Sequence, residues 1–420
     1  MDPSILRRSY ETADFEALRS AYADDAVFDA SVPGRRVRLT GPDAIVAQLS
    51  SWWPEPGDLL RWSVDEFPGG LIVEFERTVD GGAWRQRQFL SCADGKVVRQ
   101  LVYSGRPQTA GALAPLPPDL DVVEREPLTH HGQSGNAVER VRLRDGTRLV
   151  LKHLRPEGDW LAQGTRDDFR ELRFFHDGVY ERVPRPVDHT VVGAYARTLV
   201  MRDVSDTVVT RERRLTRDES RRVLGAAAAL HAEFDGEDVA GACTLADRIS
   251  FCGPEAMRPW SLGDDFIPKA MCVGWEVFEE TVPRAVADAV FAVHAAPGAL
   301  ASELLATGRT LVHADLRWAN LGFAGERLVF LDWGTATTAP PAIEFSWYLF
   351  VNGRRIDATY DDLLADFRAL EGEPPRGTWL AQLCIHGGIL AHELIEPDDA
   401  KREVARRELA WWCERAGEAL

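Results

Sequence analysis

Only four of the 49 basic residues in this chain are lysines, Lys96, Lys152, Lys269 and Lys401. Arginine is the default cation, so a lysine in an apolar setting calls for a specific reason. Cysteine is equally sparse: Cys92, Cys243, Cys252, Cys272, Cys384 and Cys413 are scattered and show no CxxC spacing. That pattern speaks against a disulfide framework, a structural zinc or a redox dithiol, and leaves the thiols reduced and structural. None of the ten histidines precedes His130 and no pair has HExxH spacing, which disfavours a zinc enzyme. No apolar run approaches the roughly 18 residues of a membrane span. Arg7 and Arg8 lead into Tyr10 and Glu11 where a signal peptide needs an apolar stretch, so the expectation is a cytoplasmic protein without a membrane partner.

Basic excess is also missing. The net charge is -17, and between Asp206 and Leu420 there are 35 acidic against 22 basic residues. Nucleic acid is therefore not an expected partner, whereas an acidic half can attract a cationic substrate or simply remain solvated.

The 420 residues and 45% hydrophobic composition are enough for two or three domains. Residues 1–107 read as one unit. A helix carrying Phe15, Leu18 and Tyr22 on one face is expected first, then a short helix around Ile45 to Leu49 after Gly41-Pro42. Leu71 to Thr78, Trp84 to Ser91 and Val97 to Tyr103 read as strands, joined by turns at Asp80-Gly81-Gly82 and Asp94-Gly95. Helices followed by a meander indicate α+β architecture. This order, with YETADFEALRSAYADDAVFDA followed by GPDAIVAQL, resembles the cone-shaped α+β barrel of the nuclear-transport-factor-two-like superfamily, particularly its polyketide-cyclase-like and ketosteroid-isomerase-like branches. Asp29, Tyr10, Trp52 and Tyr103 are candidates to line a pocket there, with core packing the preferred reading. A homodimer formed through this domain is a further expectation.

PQTAGALAPLPP lacks charge and periodicity, and residues 108–121 read as a linker. Beyond it, DVVEREPLTHHGQSGNAVERVRLRDGTRLVLKHL reads as strand, glycine turn, strand, Asp145-Gly146 hairpin and strand. Residues 122–204 are expected to form a small antiparallel-sheet lobe, and 205–420 a mostly helical lobe. In the first turn, Gly132, Ser134 and Gly135 let backbone N–H groups approach phosphate oxygens.

Lys152, flanked by apolar residues in LVLKHL, suits a site needing a compact point charge, as nucleotide phosphates do. Kinases orient such a lysine with a carboxylate on the next helix. RDDFRELRFFHDGVY offers Glu171, preferred over Asp167 and Asp168. ARTLVMRDVSD then supplies a connection over Met201 to Val204, whose backbone, with Met201 and Asp203 as candidates, can meet adenine. Thr216-Arg217-Asp218-Glu219 is a capping-box pattern opening a helix with Val223, Ala227, Leu230 and Phe234 on one face.

The most informative segment is TLVHADLRWANLGFAGERLVFLDWGTA. An apolar strand delivers His313 and Asp315 to a loop, Asn320 follows, and a hairpin around Gly325 returns a strand ending at Asp332. Asp315 can accept the proton of an attacking hydroxyl, while Asn320 and Asp332 offer oxygen ligands to magnesium. Taken in order, these parts resemble the aminoglycoside phosphotransferase and choline-kinase-like families over about residues 120–350. Their His-Gly-Asp-x-x-x-x-Asn and Asp-Trp patterns map onto Asp315, Asn320 and Asp332, and Leu230-His231-Ala232 looks like their LHA pattern. The resemblance implies a protein-kinase-like bilobal fold, ATP and Mg2+ as cofactors and phosphorylation of a hydroxyl on a small molecule.

Two positions depart from the family. Ala314 stands where glycine is usual, so a backbone needing positive φ would be strained, the loop reshaped or activity lowered. Ala342-Ile343-Glu344 replaces the usual aspartate ahead of an apolar helix, with Glu344 keeping a charge able to anchor the loop. A catalytically weak, nucleotide-responsive binding protein is therefore the alternative, and isomerase or cyclase chemistry in the N-terminal domain a third reading.

Overall fold

The computed structural model describes residues 2–32, 35–67, 69–79, 82–105, 120–128, 136–261, 265–396, 398–418 and 420. The chain divides into two compact units. One comprises Met1–Thr109, Pro254–Val277 and Ile389–Arg406, and the other Ala110–Gly253, Phe278–Gly388 and Arg407–Leu420.

The first unit opens with a helix, Pro3–Thr12, started by Asp2, whose carboxylate accepts Ser4 N–H at 2.8 Å. It buries Leu6, Ser9 and Tyr10 and stops where Ala13 turns left-handed at φ 59°. The single helix expected to carry Phe15, Leu18 and Tyr22 is not present. Glu16–Ala21 is a 3-10 turn and Tyr22 begins a strand, so the helical spacing of three buried residues arose from three kinds of local structure. The helix after Gly41 spans Pro42–Trp52.

Six strands form the sheet of this unit: β1 Tyr22–Val32, β2 Arg35–Thr40, β3 Leu59–Phe67, β4 Gly70–Val79, β5 Gly82–Ala93 and β6 Lys96–Gly105. Their order is β2-β1-β6-β5-β4-β3, antiparallel except for β1 beside β6. The β5–β6 turn is Asp94-Gly95, both at positive φ, while the β4–β5 turn at residues 80–81 lies outside the described residues. Side chains alternate between faces. On one face Phe28, Val73, Phe75, Leu90 and Val102 pack with Leu6, Phe15, Ile45 and Leu49. Gln88 donates to the Tyr10 hydroxyl at 2.6 Å and accepts from Gln100 at 2.9 Å, which satisfies polar groups in this core.

Of the pocket candidates, Tyr10 is a core residue and Asp29 is a buried partner of Arg38 at 3.1 Å. Trp52 packs against the core, and the Tyr103 side chain lies outside the described residues. The opposite face carries Glu74, Arg87 and Arg99. Arg87 donates to the Ser261 carbonyl at 3.1 Å, Lys269 lies 3.7 Å from Glu74, and Arg99 pairs with Glu276. Burial lowers the Arg87 pKa to about 10. Residues 254–277 therefore belong to the first unit, which interrupts the stretch 205–420 expected as one lobe.

The second unit contains a five-stranded antiparallel sheet: β7 Val122–Pro127, β8 Ala137–Leu143, β9 Arg148–His153, β11 Val191–Tyr195 and β12 Thr198–Arg202, in the order β11-β12-β9-β8-β7. Two-residue β10, Val187–Asp188, intervenes in sequence and pairs elsewhere. Asp145 accepts Thr147 N–H at 2.9 Å beside Gly146 at φ 91°, closing the β8–β9 hairpin. The expected linker falls largely on residues 106–119, outside those described. A mostly helical part follows, holding β13 Thr310–Val312, β14 Leu321–Ala324, β15 Arg327–Phe330 and β16 Thr337–Ala339. The helix Arg217–Glu233 begins with the expected capping box. Thr216 Oγ1 accepts Glu219 N–H at 3.2 Å, and Glu219 accepts Thr216 N–H at 2.9 Å. Among the described residues, no single helix is long and apolar enough to cross a membrane.

Thr216→Ala removes one half of that box. Equilibrium unfolding is expected to show a loss of about 1 kcal/mol, with Glu219→Ala giving a loss of the same order; no loss in either variant would remove the cap from the account of this helix.

Candidate active site

Lys152 lies on central strand β9, between Val138 of β8 and Leu199 of β12. Its Nζ is 2.5 Å from Glu171 Oε2 and 2.7 Å from Asp332 Oδ1, and the lysine is buried. Glu171 reaches it from the helix Arg170–His176 and uses its other oxygen to accept Trp333 N–H at 3.2 Å. The neighbouring acids are engaged locally: Asp167 accepts Arg170 N–H at 2.5 Å and Asp168 pairs with Arg173. Burial alone would depress the Lys152 ammonium, but the Asp332 and Glu171 carboxylates outweigh it and hold its pKa above the ordinary lysine value. Burial opposes Asp332 ionisation, yet the Lys152 charge holds that carboxyl at about 2. Glu171, wholly enclosed, is raised by burial.

Gly132, Ser134 and Gly135 lie outside the described residues. Met201 sits at the end of β12 and is half-buried. Asp203 follows it, but its carboxylate accepts from Arg140 Nε at 2.8 Å and from Ser205 N at 3.1 Å. Any contact with a nucleotide base at this connection thus falls to the backbone rather than to the Asp203 side chain.

Strand β13 leads into the second part of the site. Ala314 adopts φ 62° and Asp332 φ 66°, a left-handed conformation that costs a non-glycine residue roughly 1–2 kcal/mol. The strain expected at Ala314 is present, in a backbone conformation that glycine adopts at no steric cost. Glu344 explains how it is held. From the first turn of the buried helix Pro341–Asn352, its carboxylate accepts His313 N–H at 2.5 Å and Ala314 N–H at 3.0 Å. Arg248, fully enclosed, donates to the Ala314 carbonyl at 2.6 Å, and Asn352 donates to the Leu316 carbonyl at 2.7 Å. His313 Nδ1 accepts Asp315 N–H at 3.3 Å, and burial pulls the His313 pKa down to about 3, leaving the ring neutral.

Asp315 is buried and burial raises its pKa. Asn320 Nδ2 donates to Asp315 Oδ2 at 2.8 Å, Arg317 Nε lies 3.5 Å from the same oxygen, and Trp347 Nε1 donates to Oδ1 at 3.0 Å. The hairpin β14–β15 pairs Leu321 with Phe330, and Leu331 N–H donates to the Asn320 carbonyl at 2.9 Å. That pairing brings Asn320 and Asp332 to the same end of the hairpin. Their carboxylate and amide oxygens are hard donors of the kind Mg2+ takes alongside phosphate and water, so the residues fit that ion. Among the described residues, no group of three or more His, Cys, Asp and Glu is placed to hold a metal ion.

Four contributors were not read from the sequence. Trp347 stands one helical turn after Glu344, a spacing that signals a shared face. Arg317 lies inside the recognised loop, two residues after Asp315. Arg248 and Arg170 gave no local signal. Arg170 is a buried arginine whose guanidinium donates to the carbonyls of Thr165 at 2.9 Å and Gly241 at 3.0 Å, and also to that of Gly334.

The candidate site thus comprises a lysine held by two carboxylates and a loop in which an asparagine bonds an aspartate. The sequence profile of the phosphotransferase enzyme family (APH) matches residues 130–380, and the chain belongs to that family. Similar solved structures include the choline kinase LicA from Streptococcus pneumoniae, at 13% identity over 70% of this chain and 95% of that one with a TM-score of 0.41. Macrolide 2'-phosphotransferase MphH from Brachybacterium faecium is similar at 17% identity, covering 69% of this chain and 93% of its own, with a TM-score of 0.38. An NTF-2 like protein of unknown function from Burkholderia xenovorans LB400 is similar at 23% identity over 26% of this chain and 86% of that one, with a TM-score of 0.21. No curated protein matches.

The clamp on the loop makes a paired prediction. Glu344→Ala leaves two buried N–H groups unpaired and is expected to destabilise the protein by about 3 kcal/mol. Ala314→Gly relieves the left-handed strain and should leave stability unchanged or raise it by up to about 1 kcal/mol. Thermal unfolding of both variants checks this; a destabilised Ala314→Gly would contradict the strain argument.

Proposed function

We propose that this protein transfers the γ-phosphoryl group of ATP to a hydroxyl of a small molecule. The observation that carries this reading is the meeting of Lys152, Glu171 and Asp332 in one ion cluster, with Asp332 on the same hairpin end as Asn320. A rare lysine, a carboxylate from the adjoining helix and an aspartate from the other lobe are the groups that phosphoryl transfer needs around a nucleotide.

In the proposed mechanism Lys152 turns its charge to the phosphates while Glu171 keeps it oriented. The backbone at Met201 to Asp203 meets the adenine. Asn320 and Asp332 would hold Mg2+, which supplies charge neutralisation on the phosphate oxygens. Asp315 accepts the acceptor's hydroxyl proton as the new O–P bond forms. The bond from the γ-phosphorus to the bridging oxygen breaks, and ADP leaves with that electron pair. The neutral His313, fixed under Asp315 N–H, holds the loop without competing for the proton.

The alternative, a nucleotide-responsive binding protein with little turnover, drew on Ala314. The positive φ of Ala314 and the Glu344 clamp speak for a loop that keeps its working shape, which favours the enzyme.

Asp315→Asn is expected to reduce acceptor-dependent ADP release by about 10²–10⁴-fold while binding of Mg-ATP stays near that of the parent. Release assayed across aminoglycosides, sugars, choline and amino-acid alcohols identifies the acceptor. Turnover by Asp315→Asn equal to the parent's would remove Asp315 from the chemistry, and no ATP consumption with any acceptor would favour the binding protein.

A further inference from the structure

The Asp315 carboxylate is held from two directions. Asn320 and Arg317, on its own loop, face Oδ2, whereas Oδ1 receives the indole N–H of Trp347 from the helix Pro341–Asn352. Trp347 lies one turn along from Glu344, so a single helix grips the backbone of residues 313–314 and the side chain of Asp315 together. The indole is itself fixed. The Arg248 guanidinium stands 4.7 Å from the Trp347 ring and 4.7 Å from that of Phe251, and donates to the Ala314 carbonyl at 2.6 Å. Phe350 lies against Trp347 at 5.7 Å. Most of the surrounding helix is buried, yet Trp347 retains partial exposure. A wholly structural tryptophan needs no partner on the one carboxylate assigned to the reacting proton.

We propose that Trp347 is a positioning residue for phosphoryl transfer, its indole N–H pinning Oδ1 of Asp315 and so fixing the rotation of the carboxylate that takes the acceptor's hydroxyl proton. This rests on the phosphotransferase reading above. A carboxylate oxygen can accept two hydrogen bonds. With Trp347 on Oδ1 and Asn320 and Arg317 at Oδ2, the carboxylate is held in one rotation, and the proton passes to it as the O–H electron pair forms the bond to phosphorus. The carboxylate cannot rotate away without breaking the Trp347 bond. The cost of losing such a constraint falls on the reacting geometry and not on nucleotide binding.

The test uses the full chain and Mg-ATP, first with water alone as acceptor and then with the best hydroxyl acceptor from the screen. Trp347→Phe keeps an aromatic ring against Arg248 and Phe350 but removes the donor; Trp347→Leu removes both. The expected result is a kcat lowered on the order of ten- to a hundredfold in both variants, with KM for ATP unchanged. A purely packing role predicts instead that Phe behaves like the parent and Leu does not, and that result would overturn the proposal. A second measurement needs no turnover: the fall in Tm caused by Trp347→Phe should be smaller in an Asp315→Ala background than in the parent, and equal falls would also overturn it. Absence of any ATP turnover by the parent protein defeats the phosphotransferase reading and this inference with it. Parental turnover with an unimpaired Trp347→Phe defeats this inference alone.

Discussion

The site depends on one ammonium group shared by two carboxylates. Lys152, Glu171 and Asp332 come from a sheet strand, the helix after it and a hairpin end 180 residues further on, and no pair of them suffices. Removing the lysine would leave two buried acids facing each other; removing either acid would leave the lysine half compensated in a buried setting. Because the three belong to both lobes of the kinase-like unit, their contact also ties those lobes together. Arg170 reinforces this from the adjoining position, tying the Glu171 helix to the Gly334 carbonyl beyond Asp332.

Around Asp315 the protein uses a different device, fixing shape with hydrogen bonds instead of with charge. Two residues there adopt left-handed backbone, and the enclosing polar groups hold at least one of them. Glu344 takes the N–H groups of His313 and Ala314, while Arg248 and Asn352 take the carbonyls of Ala314 and Leu316. Local strain of this kind persists where surrounding contacts over-determine the conformation. Glu344 and Ala314 are two parts of one arrangement, the acid bonding the very N–H that the alanine presents.

The residues most legible in the sequence were those with a chemical reason to be rare or fixed in spacing. Lys152 stood out against an arginine-rich background, and Asp315, Asn320 and Asp332 stood out by interval; the structure brings Lys152 to Glu171 and Asp332, and Asp315 to Asn320. Arg248 was not legible, because an arginine on a short helix carries no sign of which distant group it will meet, and the one signal for Trp347 was its spacing of one turn from Glu344. Among elements, β4, β5 and β6 were marked by apolar runs and a turn. The strands β1 and β3 were missed, since ADDAVFDA and LLRWSVDEF mix charge into both faces of the sheet. Charge on this sheet has a purpose visible only in three dimensions, as Asp29 of β1 and Glu74, Arg87 and Arg99 of β4, β5 and β6 are matched by groups from residues 254–277.

This last pairing bears on how the chain is made. The partners of the sheet's charged face emerge more than 150 residues after it in synthesis, and the same unit draws on residues up to Arg406. A nascent chain that ends before residue 254 therefore lacks the partners of that charged face. The amino-terminal unit is among the last parts of the molecule to be finished.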